Sequence, residues 1–274
     1  MGARMAERLL KAGHEVTVWN RSPEKTAPLI ALGAKAAYSP SSASANAEFV
    51  VSMLRDDDAS REVWLAKDTG ALDAMQKTSV AIDSSTVTPM WSRELADKCA
   101  SAGIQYLDAP VVGSRPQAEA GQLIYLVGGD AAAFASAEPL FLAMGKSAHY
   151  LGPAGSGALL KLVVNALLGV QVTALGELIG LLGRSHVDTK KAIEVLCATP
   201  VISPSAALAA GSMQNANFSP LFPVELIEKD MGYLLKLSNE GNAPLVEAAR
   251  KVFNEAIEAG YENEQMTAVV KLYE

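Results

Sequence analysis

The chain is poor in cysteine, histidine and aromatic residues, and each shortage narrows what it can be. Only two cysteines, Cys99 and Cys197, occur in 274 residues, with no CxxC and no Cys/His cluster. That excludes a disulfide scaffold and a zinc module, and it fits reduced thiols in a cytoplasmic protein. The three histidines, His14, His149 and His186, share no ligand spacing, so no metal site is expected. With aromatics at 6%, the core has to be built from Ala, Leu and Val. Positive charge is in deficit. A formal charge of −7 argues against general binding to nucleic acid or anionic membranes, while leaving room for a local basic pocket around a phosphorylated cofactor. No apolar run of membrane-spanning length has a polar-free flank. The run 166–182 is broken by Gln171, Thr173 and Glu177 and reads as a buried helix. Arg4 and Arg8 precede no signal-peptide core.

What is present falls into two halves with different patterning. Half of the residues are hydrophobic, enough for a sizeable core in one large domain or two smaller ones. The first half alternates short β-branched runs (15–19, 48–53, 79–83, 104–108, 122–128 and 148–151) with helical stretches. This predicts an open, mainly parallel α/β sheet of Rossmann type. From Gly155 onward no convincing strand occurs. Helices are expected over 155–183, over 189–196 with Asp188 as N-cap, over 224–239 and over 244–259. Pro204, Pro220 and Pro223 punctuate a loop region between them. The expected division is an α/β domain over 1–152 and an all-helical domain over 153–274, joined by a long helix.

The first segment, 1–12, is an amphipathic helix closed by Gly13. In a dinucleotide fold such a helix follows a first strand and a G-x-G-x-x-G turn. Here Gly2 can supply only the last glycine of that turn. Without the first strand, a gap of about two strand spacings or unpaired edges on both neighbours is expected. The expectation is a start at an internal methionine of a longer protein.

The second strand ends in Asn20-Arg21-Ser22, where an acidic residue would read the ribose of NAD. An arginine between two small hydrogen-bonding side chains suits a 2′-phosphate, which favours NADP over NAD. Read in isolation, the same residues are a solvated turn. The stretch Gly155-x-Gly157-x-x-x-Lys161-x-x-x-Asn165 puts a lysine and an asparagine on one helix face. Two readings stay open on spacing alone. Lys161 is an edge lysine that reaches water, or a proton donor with Asn165 beside it to hold a substrate oxygen.

Four stretches in order match one family: 1–21, Asp83-Ser84-Ser85-Thr86, Asp108-Ala109-Pro110-Val111-Val112-Gly113-Ser114, and the Gly155 to Asn165 motif. Phe222-Pro223 followed by Lys229-Asp230 is a fifth. Over essentially its whole length the chain resembles the β-hydroxyacid dehydrogenases, relatives of 3-hydroxyisobutyrate and 6-phosphogluconate dehydrogenase. Within them it is most similar to the glyoxylate and succinic semialdehyde reductases. The resemblance implies an NAD(P)-dependent reductase in which Lys161 is the general acid, protonating the carbonyl oxygen as hydride arrives, and Asn165 orients the substrate. It implies that Gly2, Met53, Leu54, Thr86 and Lys229 meet the cofactor, and that Phe222 and Asp230 close the site. Without the family, Phe222 reads as core and Lys229-Asp230 as a solvated charge pair.

The resemblance also implies that loop 110–123 holds a substrate carboxylate, with backbone N–H groups at Gly113 and Ser114 as donors. The chain departs from the family here, with Val112 where a serine is usual. Losing one hydrogen bond to a charged group costs about 1.5–3 kcal/mol, roughly 10- to 150-fold in affinity. Ser114, Gln117 or a clamp by Arg115 could compensate, or Arg115 is a solvated loop cation. Three functional readings follow. The first is a reductase of small aldehyde acids or dehydrogenase of β-hydroxy acids. The second is the same scaffold acting on a non-carboxylate carbonyl or imine. The third is a non-catalytic dinucleotide-binding oligomer. The apolar helix from Gly155 needs cover on every side, so a homodimer or homotetramer is expected.

Overall fold

The structure, a computed structural model, describes residues 1–237 and 242–274. The chain divides into two compact units, Met1–Lys161 and Leu162–Glu274. The first unit contains eight strands: β1 (Thr17–Val18), β2 (Lys35–Ala36), β3 (Phe49–Ser52), β4 (Val80–Asp83), β5 (Gln105–Asp108), β6 (Val111–Val112), β7 (Leu123–Gly129) and β8 (Gly145–Tyr150). Strands β3, β4 and β5 are parallel neighbours, with Ser52, Asp83 and Asp108 level at their carboxyl ends. Strand β7 runs antiparallel to β5 and β6 and parallel to β8. The sheet is thus more mixed than the sequence suggests. Strands β2 and β6, two residues each, are too short to leave an alternating pattern.

Strands β1 and β2 pair in parallel as a separate two-stranded sheet. Strand β1 bonds to β2 in this small sheet, and β3 bonds to β4 in the larger one. Both faces of the larger sheet are covered, as parallel sheets require. Val80, Ile82 and Leu107 point into a cluster with Met5, Leu123 and Phe141. Their neighbours Ala81 and Tyr106 point into another with Trp64, Trp91 and Leu95. The flanking helices are α1 (Gly2–Lys11), α2 (Ala27–Ala31), α3 (Pro40–Ser44), α4 (Asp57–Leu65), α5 (Pro89–Ser101), α6 (Arg115–Glu119) and α7 (Ala131–Met144).

Helix α8 (Ser156–Gly183) begins in the first unit and continues into the second. The second unit adds α9 (Thr189–Cys197), α10 (Pro204–Gln214), α11 (Val224–Leu235) and α12 (Pro244–Glu258). Asp188 caps α9 as expected, accepting from Lys191 N at 3.0 Å. The region around Pro204 is helix rather than loop. Pro204 occupies the first turn, where its missing N–H costs nothing, and Ser203 Oγ accepts from Ala206 N. Helix α11 ends at Leu235, and the expected end at Asn239 lies outside the described residues. Helix α8 is less covered than a buried helix. By length and composition it could cross a bilayer, and 44% of its most apolar stretch is buried. Its small residues mark the packed side: Gly169 lies against Met231 and Phe253, and Gly176 against Val269.

Candidate active site

The carboxyl ends of β3 and β4 are fastened by one buried carboxylate. Asp83 Oδ1 accepts from Ser52 Oγ at 2.8 Å and from Ser85 N at 2.9 Å, and Oδ2 accepts from Ser60 Oγ at 2.6 Å. The two serines in turn accept from the indole N–H groups of Trp64 and Trp91. Ser85 Oγ accepts from Leu54 N at 2.8 Å, so the two strand ends are tied directly. Gly2, opening α1, lies against Met53, where an added Cβ would be 3.4 Å from the Met53 Cβ. Helix α1 has no side-chain N-cap. The structure therefore brings Gly2, Met53, Leu54 and the turn leading to Thr86 together on the carboxyl side of the sheet. In open α/β folds this is where ligands bind, with anions at helix N-termini. At the end of β1, Asn20 Oδ1 accepts from Ser22 N at 2.9 Å, and Arg21 is exposed.

Loop 110–123 engages one of its expected anion donors internally. The Ser114 N–H, expected to face an anion, donates to Gln117 Oε1 at 2.9 Å, so this backbone donor is already engaged. Ser114 Oγ is buried without a hydrogen-bond partner. Gly113 adopts φ +125°, where a side chain is strained, and an added Cβ would lie 3.0 Å from Gln117 and Leu123. Val112 is half-buried and paired with Ile124. Arg115 is exposed. It and Arg4 lower the pKa of the Met1 amine, after burial, which is the larger cause.

Asp108, ending β5, is fully buried, and its side chain reaches the start of α8. Oδ1 accepts from Gly155 N and Oδ2 from Ala158 N, both at 2.7 Å. Burial pushes its carboxyl above the ordinary aspartate value, outweighing the opposite pull of these N–H groups. Lys161 follows Ala158 in the next turn and is half-buried. In the second unit Asn165 Nδ2 donates to Asp230 Oδ2 at 2.6 Å. Asp230 also pairs with Lys229 Nζ at 2.9 Å, and Lys229 lies 4.6 Å over the Tyr233 ring. Lys229-Asp230 is thus an interior pair rather than a solvated one. Phe222 packs against the core of the second unit, and its N–H donates to Gln265 Oε1. Among the described residues no group of three or more His, Cys, Asp or Glu side chains could hold a metal.

Residues 1–152 match the family model for the NAD binding domain of 6-phosphogluconate dehydrogenase, and 155–273 that for the NAD-binding domain of NADP-dependent 3-hydroxyisobutyrate dehydrogenase. The chain belongs to the β-hydroxyacid dehydrogenase family. It is 35% identical over 273 residues to glyoxylate/succinic semialdehyde reductase 2, chloroplastic, of Arabidopsis thaliana, covering 99% of this chain and 76% of that one. It is 32% identical to 3-hydroxyisobutyrate dehydrogenase of Pseudomonas aeruginosa, covering 100% and 95%. Among solved structures, 3-hydroxyisobutyrate dehydrogenase of Mycobacterium tuberculosis with L-serine superposes with a TM-score of 0.89 at 27% identity, covering 99% and 95%. As a β-hydroxyacid dehydrogenase, the chain is an NAD(P)-dependent oxidoreductase acting on CH–OH groups. The uncapped start of α1 and the gathered ends of β3 and β4 fit a dinucleotide. Sequence reasoning missed the anchoring roles of Asp83 and Asp108. The available signal was a carboxylate ending an apolar strand immediately before small residues.

Proposed function

We propose that this β-hydroxyacid dehydrogenase reduces small aldehyde acids with NADPH, glyoxylate and succinic semialdehyde being the first candidates. Bound NADPH supplies the hydride. Lys161 delivers the proton to the carbonyl oxygen and takes it back in the reverse direction. Asn165 orients the substrate. One of its amide N–H bonds is committed to Asp230, which fixes the amide plane and leaves its second N–H and its oxygen for the substrate. Arg21 with Asn20 and Ser22 favours the 2′-phosphate. The observation that carries the reading is the 35% identity to a glyoxylate/succinic semialdehyde reductase across 99% of the chain. The test is NADPH and NADH oxidation with both aldehydes, for the wild type and Lys161→Ala. Turnover lost in a folded Lys161→Ala supports it, and full turnover in that variant ends it.

Val112 favours a second reading, in which the substrate carbonyl carries no carboxylate. The Ser114 N–H is already spent on Gln117, so this loop offers an anion fewer donors than expected. A panel that adds neutral ketones and imines separates the two readings by kcat/KM.

The exposed apolar residues Val163, Leu167, Leu178 and Leu181 follow helical spacing along α8, and the last two line a groove with Val187, Val195 and Leu196. We propose that a second copy of the chain covers this face, and sedimentation at micromolar concentration tests it.

A further inference from the structure

Asp108 stands where two parts of the proposed chemistry meet. Its backbone ends β5 and leads directly into Ala109-Pro110-Val111, the start of the loop assigned to substrate. Its side chain instead holds the start of α8, taking Gly155 N on one oxygen and Ala158 N on the other. Two glycines make that approach feasible. A Cβ at Gly128 would lie 2.6 Å from Asp108 Oδ1, and one at Gly157 would lie 2.9 Å from Oδ2 and 2.2 Å from Leu126 O. Asp108, Gly128, Gly157 and Lys161 all belong to the same compact unit. A carboxylate that accepts two N–H groups of one helical turn fixes both the height and the rotation of the helix start. It also meets the positive end of the helix dipole. Lys161 sits one turn further along and inherits that setting.

We propose that Asp108 is the positioning residue for Lys161, holding the helix that carries the proton donor at a fixed distance from the substrate loop that Asp108 itself begins. The inference rests on the assignment of Lys161 as general acid. A misplacement of the order of 1 Å in such a group costs about 100-fold in rate. The effect therefore falls on the chemical step rather than on cofactor binding.

The test compares Asp108→Asn with Asp130→Ala. Asp130 caps α7 in the same unit, accepting from Ala132 N and Ala133 N, and lies outside the proposed machinery. Asn keeps the shape of Asp108 but turns an N–H toward one of the two donors. Expected for Asp108→Asn is a kcat lowered by about tenfold or more, with the NADPH Kd within about threefold of wild type. Asp130→Ala loses thermal stability and keeps its kcat. A second readout needs no turnover: acetic anhydride labelling of Lys161, followed by peptide mass spectrometry in the free protein. The labelling rate is expected to rise in Asp108→Asn and to stay at the wild-type value in Asp130→Ala. If the wild type reduces no carbonyl of the panel, the proposed function falls, and the labelling comparison still decides the role of Asp108. If Asp108→Asn does not fold, Asp108→Ser, which keeps one acceptor in less volume, is read in the same way. The proposal is overturned if Asp108→Asn matches Asp130→Ala in kcat and labelling, or if neither Asp108 variant folds.

Discussion

Asn165 and Asp230, 65 positions apart, are joined by a 2.6 Å hydrogen bond inside the helical unit, with both residues buried. Asp230→Ala removes the acceptor and leaves Lys229 without its carboxylate. The expected loss is about 1.5–3 kcal/mol, read from urea denaturation, with a smaller loss for Asp230→Asn. Equal midpoints for wild type and Asp230→Ala would contradict the pairing.

Asp83 accepts from Ser52, Ser60 and Ser85 N, and the two serines support Trp64 and Trp91. Asp83→Ala orphans three buried donors at once, so a loss of at least ~3 kcal/mol is expected. Because both indole bonds run through this network, the native tryptophan emission is expected to shift in the same variant. Emission that stays at the wild-type position would argue against the network.

Glycine tolerance divides sharply along α8. Gly157→Ala places a methyl 2.2 Å from Leu126 O and is expected to cost about 3 kcal/mol or more by overpacking. Gly183→Ala meets nothing within 4 Å and is expected to be neutral, or stabilising by up to about 1 kcal/mol. Thermal melts of the two variants check the contrast.

Burial raises the Asp108 carboxyl above its ordinary value, so the folded state binds this proton more tightly than the unfolded one. Stability from that preference is complete below the unfolded value of about 3.9 and is lost as pH rises through the folded value. The stability of the wild type minus that of Asp108→Asn is therefore expected to fall as pH rises from about 4 toward neutrality. Urea midpoints over that range measure it, and a constant difference counts against the assignment.

Cys99 is fully buried and its thiol is pushed up to about 12 by burial, whereas Cys197 is half-buried. In the native protein Ellman's reagent is expected to modify Cys197 alone, with Cys99 reacting only after denaturant is added. Two fast thiols in the native state would contradict this.

The sequence revealed the elements with strong periodicity: β3 to β5, α8 and the capped start of α9. It did not reveal β2 and β6, whose two residues apiece carry no pattern, nor the antiparallel course of β7, which is a matter of topology. Pro204 reads as a loop marker because a proline signals a break and a helix start alike, and only the Ser203 cap distinguishes them. The motif positions of Lys161 and Asn165 were legible because i and i+4 spacing survives in any helix. The work of Asp83 and Asp108 was not, since both make contacts 23 to 50 residues away that no local window contains.

The separate pairing of β1 with β2 bears on how the molecule breathes. Two strands of two residues rest on a cluster of three buried side chains, Val18, Leu29 and Ala34. A two-stranded ladder is marginal by itself, whereas β4 and β5 lie between packed faces. Amides of Val18, Lys35 and Ala37 are thus expected to exchange with solvent well before those of β4 and β5. The Asn20-Arg21-Ser22 turn, proposed above to favour the 2′-phosphate, directly follows β1, so on that proposal discrimination between the two nicotinamide dinucleotides draws on the ordering of this small ladder. It should weaken with mild denaturant before the central sheet gives way.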